Sequence, residues 1–208
     1  MPLNLDDGSE GSGGGQFYDK LRFKATGGNW WMKDGDGEKR FPTGFTCVFD
    51  MDSLQTGWSR FNGSYPVFEP DPSLSESAPM PPPDPIDPDK KWKRAFKLLV
   101  FSNDHFGGTV EFMHDAGTVT RAFSALYSAY EAQKDGGKVP VIEVDGNPTK
   151  AGDYYAPNWK IAKMADRPTS LPEAGAPAKA PAEAPAKAPA AAPAKAPAAA
   201  PASASDEF

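Results

Sequence analysis

Between residues 91 and 164 the chain holds one helix-like segment with strand-like segments on both sides of it. Residues 118–134 carry Val119, Ala122, Phe123, Leu126 and Tyr130, apolar positions three and four apart. That spacing predicts a helix with one buried stripe. Before it, 92–101 is an apolar run with basic residues spaced through it, and 109–114 alternates. After it, 139–144 and 158–164 are short and β-prone. The order strand, strand, helix, strand, strand requires a sheet with the helix packed on it. The other segments then add to that sheet.

The sharpest alternation lies upstream, in 16–26. Phe17, Leu21, Phe23 and Ala25 fall on one face, and Tyr18, Lys20, Arg22 and Lys24 on the other. A turn at Gly27, Gly28 and Asn29 leads to a short aromatic strand, 29–33, which sets Trp30 and Trp31 on opposite faces. Asp34 to Gly37 reads as a tight turn, 44–50 as a strand and 58–61 as a further strand end. Residues 69–89 are acidic and rich in proline, which cannot donate to a ladder, so they read as an extended excursion between two halves of the sheet.

The ends differ in composition. Residues 1–15 are acidic and Gly-rich and are expected to be disordered, with nothing that resembles a signal peptide. From 169 to 202 the chain repeats Ala, Pro and Lys, which blocks helix propagation and predicts an extended linker. Residues 203–208 form an acidic tip. The expected organisation is a β domain over 16–168 with the Pro-rich insertion 69–89, followed by linker and tip. The expected fold class is mostly β with one helix, as a small OB-like barrel; an open sheet crossed by a helix is the rival.

Three strands place cations beside aromatics: Lys20, Arg22 and Lys24, with Trp30 and Trp31 in the next strand; Trp92 with Lys93, Arg94 and Lys97; and Trp159 with Lys160. Single-stranded nucleic acid is held by that combination, cations on phosphates and rings on unpaired bases. The formal net charge of −6 does not oppose this, because the acids are unevenly placed, six of them between 69 and 89. Enzyme chemistry has little to build on. Cys47 is the only cysteine and lies in an apolar strand. His105 and His114 are the only histidines, each beside an Asp but without a recognisable ligand spacing. No metal, cofactor or catalytic residue is expected. A single cysteine fits a reducing compartment, and no apolar run reaches the length of a membrane span, so a cytoplasmic protein without a membrane partner is expected.

This arrangement resembles the single-stranded DNA-binding proteins of phages and bacteria, which join an OB-fold domain, a low-complexity linker and an acidic tip ending in Phe. The matching tip residues are Asp206, Glu207 and Phe208; the bacterial pattern has more acids and a Pro where Glu207 stands. Tyr155, Pro157, Trp159 and Ile161 are similar to a Tyr-x-Pro-x-aromatic-x-Ile pattern of phage-type members. The resemblance implies a non-enzymatic role in DNA replication or recombination. It further implies that the tip recruits replication or repair proteins, in the bacterial host cytoplasm if the protein is phage-encoded. The alternative is a phage or bacterial structural or adaptor protein without nucleic-acid activity.

Overall fold

The computed structural model describes residues 18–61, 66–85 and 87–172. The expected disordered N-terminus 1–15, most of the linker and the tip residues Asp206, Glu207 and Phe208 lie outside the described residues.

The fold is mostly β. One large mixed sheet contains β1 (Lys20–Lys24), β2 (Asn29–Asp34), β3 (Gly37–Arg40), β4 (Gly44–Phe61), β5 (Pro66–Pro70), β6 (Lys93–Ser102), β7 (Gly108–His114), β8 (Lys138–Asp145) and β11 (Trp159–Asp166). A separate hairpin pairs β9 (Thr149–Ala151) with β10 (Tyr154–Ala156). The helices are a single turn, α1 (Asn103–Phe106), and α2 (Gly117–Glu131). Across the sheet the order is β11-β8-β4-β6-β7-β1-β2-β3, with β5 added to the end of β4.

The strong sequence periods are realised among the described residues; Gln16 and Phe17, which open the 16–26 pattern, lie outside them. In β1, Leu21 and Phe23 are buried and Lys20, Arg22 and Lys24 exposed. In α2, Val119, Phe123, Leu126 and Tyr130 are buried, and Phe123 stacks on Phe96 of β6 with ring centres 4.0 Å apart. The two segments expected at 44–50 and 58–61 are one continuous strand. Where β4 shifts register against β6, between Asp50 and Gln55, the Ser53 hydroxyl donates to the Asp50 carbonyl and accepts from Leu99 N–H at 2.8 Å. The backbone donor left by the irregularity is thereby satisfied, as a buried N–H requires.

Five elements had no clear signal. β3 is exposed at every position, so it has no apolar alternation to read. β5 has no fully buried position, and α1 and the two strands of the β9–β10 hairpin are too short to show a period.

The expected barrel is corrected to an open sheet. β1 pairs in parallel with β7, Lys20 against Glu111 and Leu21 against Phe112. That pairing occupies the edge of β7 on which a closing strand would add, and the hairpin β2–β3 extends the sheet further. Curvature still encloses an aromatic core. Trp30 lies 4.9 Å from Phe23, 5.2 Å from Phe112, 5.4 Å from Phe45 and 6.1 Å from Trp159, between ring centres. Burial of each such ring stabilises the fold by about 1.5–3 kcal/mol.

The C-terminal end of this unit is pinned. The Arg167 guanidinium donates to both oxygens of the fully buried Asp50 at 2.6 and 2.7 Å, and to the Pro172 carbonyl at 2.6 Å. Leu171 is also buried. The packed unit therefore runs past the expected boundary at 168.

Candidate nucleic-acid interface

The alternation of β1 sends Lys20, Arg22 and Lys24 to the sheet face opposite the aromatic core. Cross-strand partners point the same way. Trp31 stands opposite Arg22, and Arg40 of β3 opposite Trp31. On the far side, the end of β4 supplies Arg60 and Phe61. These residues line one open groove of about 700 Å³. Phe61 is 54% exposed, a large ring facing solvent.

The acids of the groove are Glu38, Glu111 and Asp115. Glu38 binds Arg40 at 3.1 Å, and Glu111 lies 3.7 Å from Lys20. Asp115 takes a hydrogen bond from the Ser59 hydroxyl at 3.3 Å. Among the described residues no carboxylate lies within ion-pair distance of Arg22 or Lys24. Arg22 instead sits over the Trp31 ring, 5.1 Å from its centre. A guanidinium on an indole face adjoining an uncompensated ammonium is suited to a phosphate and its base.

His114 closes the wall. Its Nε2 lies 2.9 Å from the Phe23 carbonyl, and its Nδ1 accepts from Ala116 N–H at 3.0 Å. This pattern requires the neutral ring with its proton on Nε2. Burial, the main cause, lowers its pKa below the usual 6.5. Both ring nitrogens are committed to backbone, so His114 has neither left for a metal.

The remaining sequence-derived residues divide. Lys93 is opposite Ser59 and Lys97 opposite Met113, both partners being in the groove lining, so the two cations share that face. Lys97 covers the ring of Phe68 at 4.9 Å. Four others are corrected. Trp30 is only 2% exposed and offers no ring face to a base. Trp159 packs against the core and donates from Nε1 to the Ala122 carbonyl at 3.1 Å. Lys160 pairs with Glu143 at 3.1 Å near the other end of the sheet. Arg94 points to the opposite face, where it binds Asp71 through two hydrogen bonds of 2.9 and 2.5 Å.

Arg94 and Trp92 belong to a construction that runs through the Pro-rich segment. Arg94 lies over the Trp58 ring at 5.1 Å; its charge meets Asp71, and Trp58 Nε1 donates to the Ala78 carbonyl at 2.9 Å. Arg60 lies over the Trp92 ring at 5.0 Å; its charge meets Asp84, and Trp92 Nε1 donates to the Pro82 carbonyl at 2.8 Å. Each socket is an Arg–Trp stack closed by one acid and one carbonyl from the segment. Arg94 chiefly, with Thr56 and Ala78 N–H, holds the Asp71 carboxyl well below the usual carboxylate range. Gly57 lets the segment approach, since a Cβ there would lie 2.2 Å from the Glu69 carbonyl oxygen.

Sequence reasoning missed Arg40, Arg60, Phe61 and both sockets. Arg60 and Phe61 end a strand that was legible, but their convergence with β1 comes from pairing across the sheet. No family model, no curated protein and no solved structure matches the chain.

Proposed function

We propose that this protein binds single-stranded DNA without strong sequence preference, in phage or bacterial DNA replication or recombination. The observation that carries the reading is the groove. Lys20, Arg22, Lys24 and Arg40 converge there with Trp31 and Phe61, and two of the cations have no acid partner among the described residues. Cations track the phosphates, while Trp31 and Phe61 provide sequence-tolerant stacking faces. No residue in this reading acts as a catalyst, and no cofactor is needed.

The strand order also supports an OB-like ancestry for the central sheet. β4, β6 and β7 form a meander, α2 follows β7, β8 returns to the other side of β4, and β11 pairs with β8. We read that order as OB-like connectivity in which β1 pairs on the edge where a barrel would close. The surface used for oligonucleotides in such folds matches the face that carries the groove.

Titration with oligo(dT) tests the proposal. Trp fluorescence should be quenched, and affinity should fall as salt rises, because phosphate contacts release counterions. Absence of both quenching and a retarded band at low salt overturns the proposal. Asp206, Glu207 and Phe208 are proposed to recruit replication or repair proteins through the acids and the ring. If Phe208→Ala leaves the recovery of such proteins unchanged, that role is removed.

A further inference from the structure

The Pro-rich segment between β5 and β6 has a geometry of its own. Every residue from Ala78 to Pro85 is either a proline or the residue directly before one. Proline fixes its own φ, and the residue before it is pushed to extended backbone. Burial along the segment follows a period of three. Ala78, Pro81 and Asp84 are partly covered, while Pro79, Met80, Pro82, Pro83 and Pro85 are exposed. Three residues per turn is the repeat of a polyproline II helix. One edge of that helix rests on the domain. Pro79, Pro82 and Pro85 form an outward column, and beside them Met80 is 62% exposed.

The inner edge is fixed by the two Arg–Trp sockets, which grip it at Ala78 and Pro82 through their carbonyls and at Asp84 through its carboxylate. Holding the inner edge in this way leaves the proline column rigid and facing solvent. A proline-rich strand that is already ordered loses little further entropy on docking. Its chemistry also selects the class of partner. Residues 70–89 contain no Lys or Arg, so the ridge offers nothing to a phosphate backbone. Exposed Glu76 and Asp89 stand at its two ends.

We infer that residues 78–85 are a preformed polyproline II ridge that docks a protein partner through a groove lined by aromatic rings and rimmed by basic residues. The prolines at spacing three fill the spaces between rings, the usual mode of reading such helices. Glu76 and Asp89 meet the basic rim. The ridge's sockets share only Arg60 with the groove, and its charge is taken up by Asp84, so the inference does not rest on the nucleic-acid reading.

The test uses purified SH3 and WW domains, whose grooves are aromatic, as immobilised probes for the full chain. At least one probe should bind the wild-type chain saturably. Pro79→Ala with Pro85→Ala, and separately Met80→Asp, should weaken that binding by about tenfold or more. Both side-chain sets are exposed and keep the carbonyls that the sockets use, so Tm and oligo(dT) affinity should stay at wild-type values. The inference is overturned if no probe binds the wild-type chain, or if both variants bind as the wild type does. A loss of oligo(dT) affinity in folded Pro79→Ala, Pro85→Ala protein also overturns it, by assigning the ridge to the nucleic-acid path.

Discussion

Replacement of Lys20, Arg22 and Lys24 together by Ala separates phosphate contacts from folding. The three side chains project to the solvent face of β1, so their removal leaves the buried Leu21 and Phe23 in place. Each cation in contact with single-stranded DNA contributes about 0.7 to the slope of log affinity against log salt, so the three contribute about 2.1. Lys20 already lies 3.7 Å from Glu111 and gives the smallest share. Arg22 and Lys24 alone then account for about 1.4. The triple variant should therefore have a slope shallower by about 1.4–2.1. Over a fourfold rise in salt, a slope of about 2.1 corresponds to an affinity change of about 20-fold. Fluorescence anisotropy of labelled oligo(dT) at several salt concentrations measures the slope. Thermal unfolding checks the fold, and Lys160→Ala, at the other end of the sheet, is the control with an unchanged slope. An intact triple variant with the wild-type slope refutes the placement of the phosphate path in this groove.

Three other substitutions probe the groove, the core and the pinned terminus. Trp31→Ala should cost about 1–3 kcal/mol of oligo(dT) binding with little thermal loss. Trp30→Ala should cost about 3–5 kcal/mol of stability, and equal thermal losses in the two would show that their assignment to opposite faces is wrong. Arg167→Ala leaves Asp50 buried without its partner and should cost about 3–5 kcal/mol in urea unfolding; a loss under about 1 kcal/mol would mean that the pair does not hold the C-terminal end. His114 has a folded pKa lowered below its usual 6.5. The unfolded chain thus binds the extra proton, and this contribution to stability is fully present above 6.5 and is lost as pH falls through the lower folded value. His114→Gln should flatten that part of the stability curve, and an unchanged curve would remove His114 as its source.

Much of the local structure was legible because local periods need no partner. Leu21 and Phe23 alternate with Lys20, Arg22 and Lys24, and a pleated strand must then bury one set and expose the other. Val119, Phe123, Leu126 and Tyr130 likewise specify one buried face of α2. Adjacent Trp30 and Trp31 had to diverge, yet their alternation alone did not say which was core. That depended on Phe23, Phe45, Phe112 and Trp159, which reach Trp30 from four other strands. The sockets are similarly remote: Asp71 meets Arg94 and Asp84 meets Arg60 across 23 and 24 positions of chain. The same holds for the open edge, since β1 and β7 pair in parallel despite the long chain between them. A strand's period follows from its own backbone geometry. Its neighbour is chosen among competing edges by buried area and satisfied hydrogen bonds, which exist only once distant segments have met.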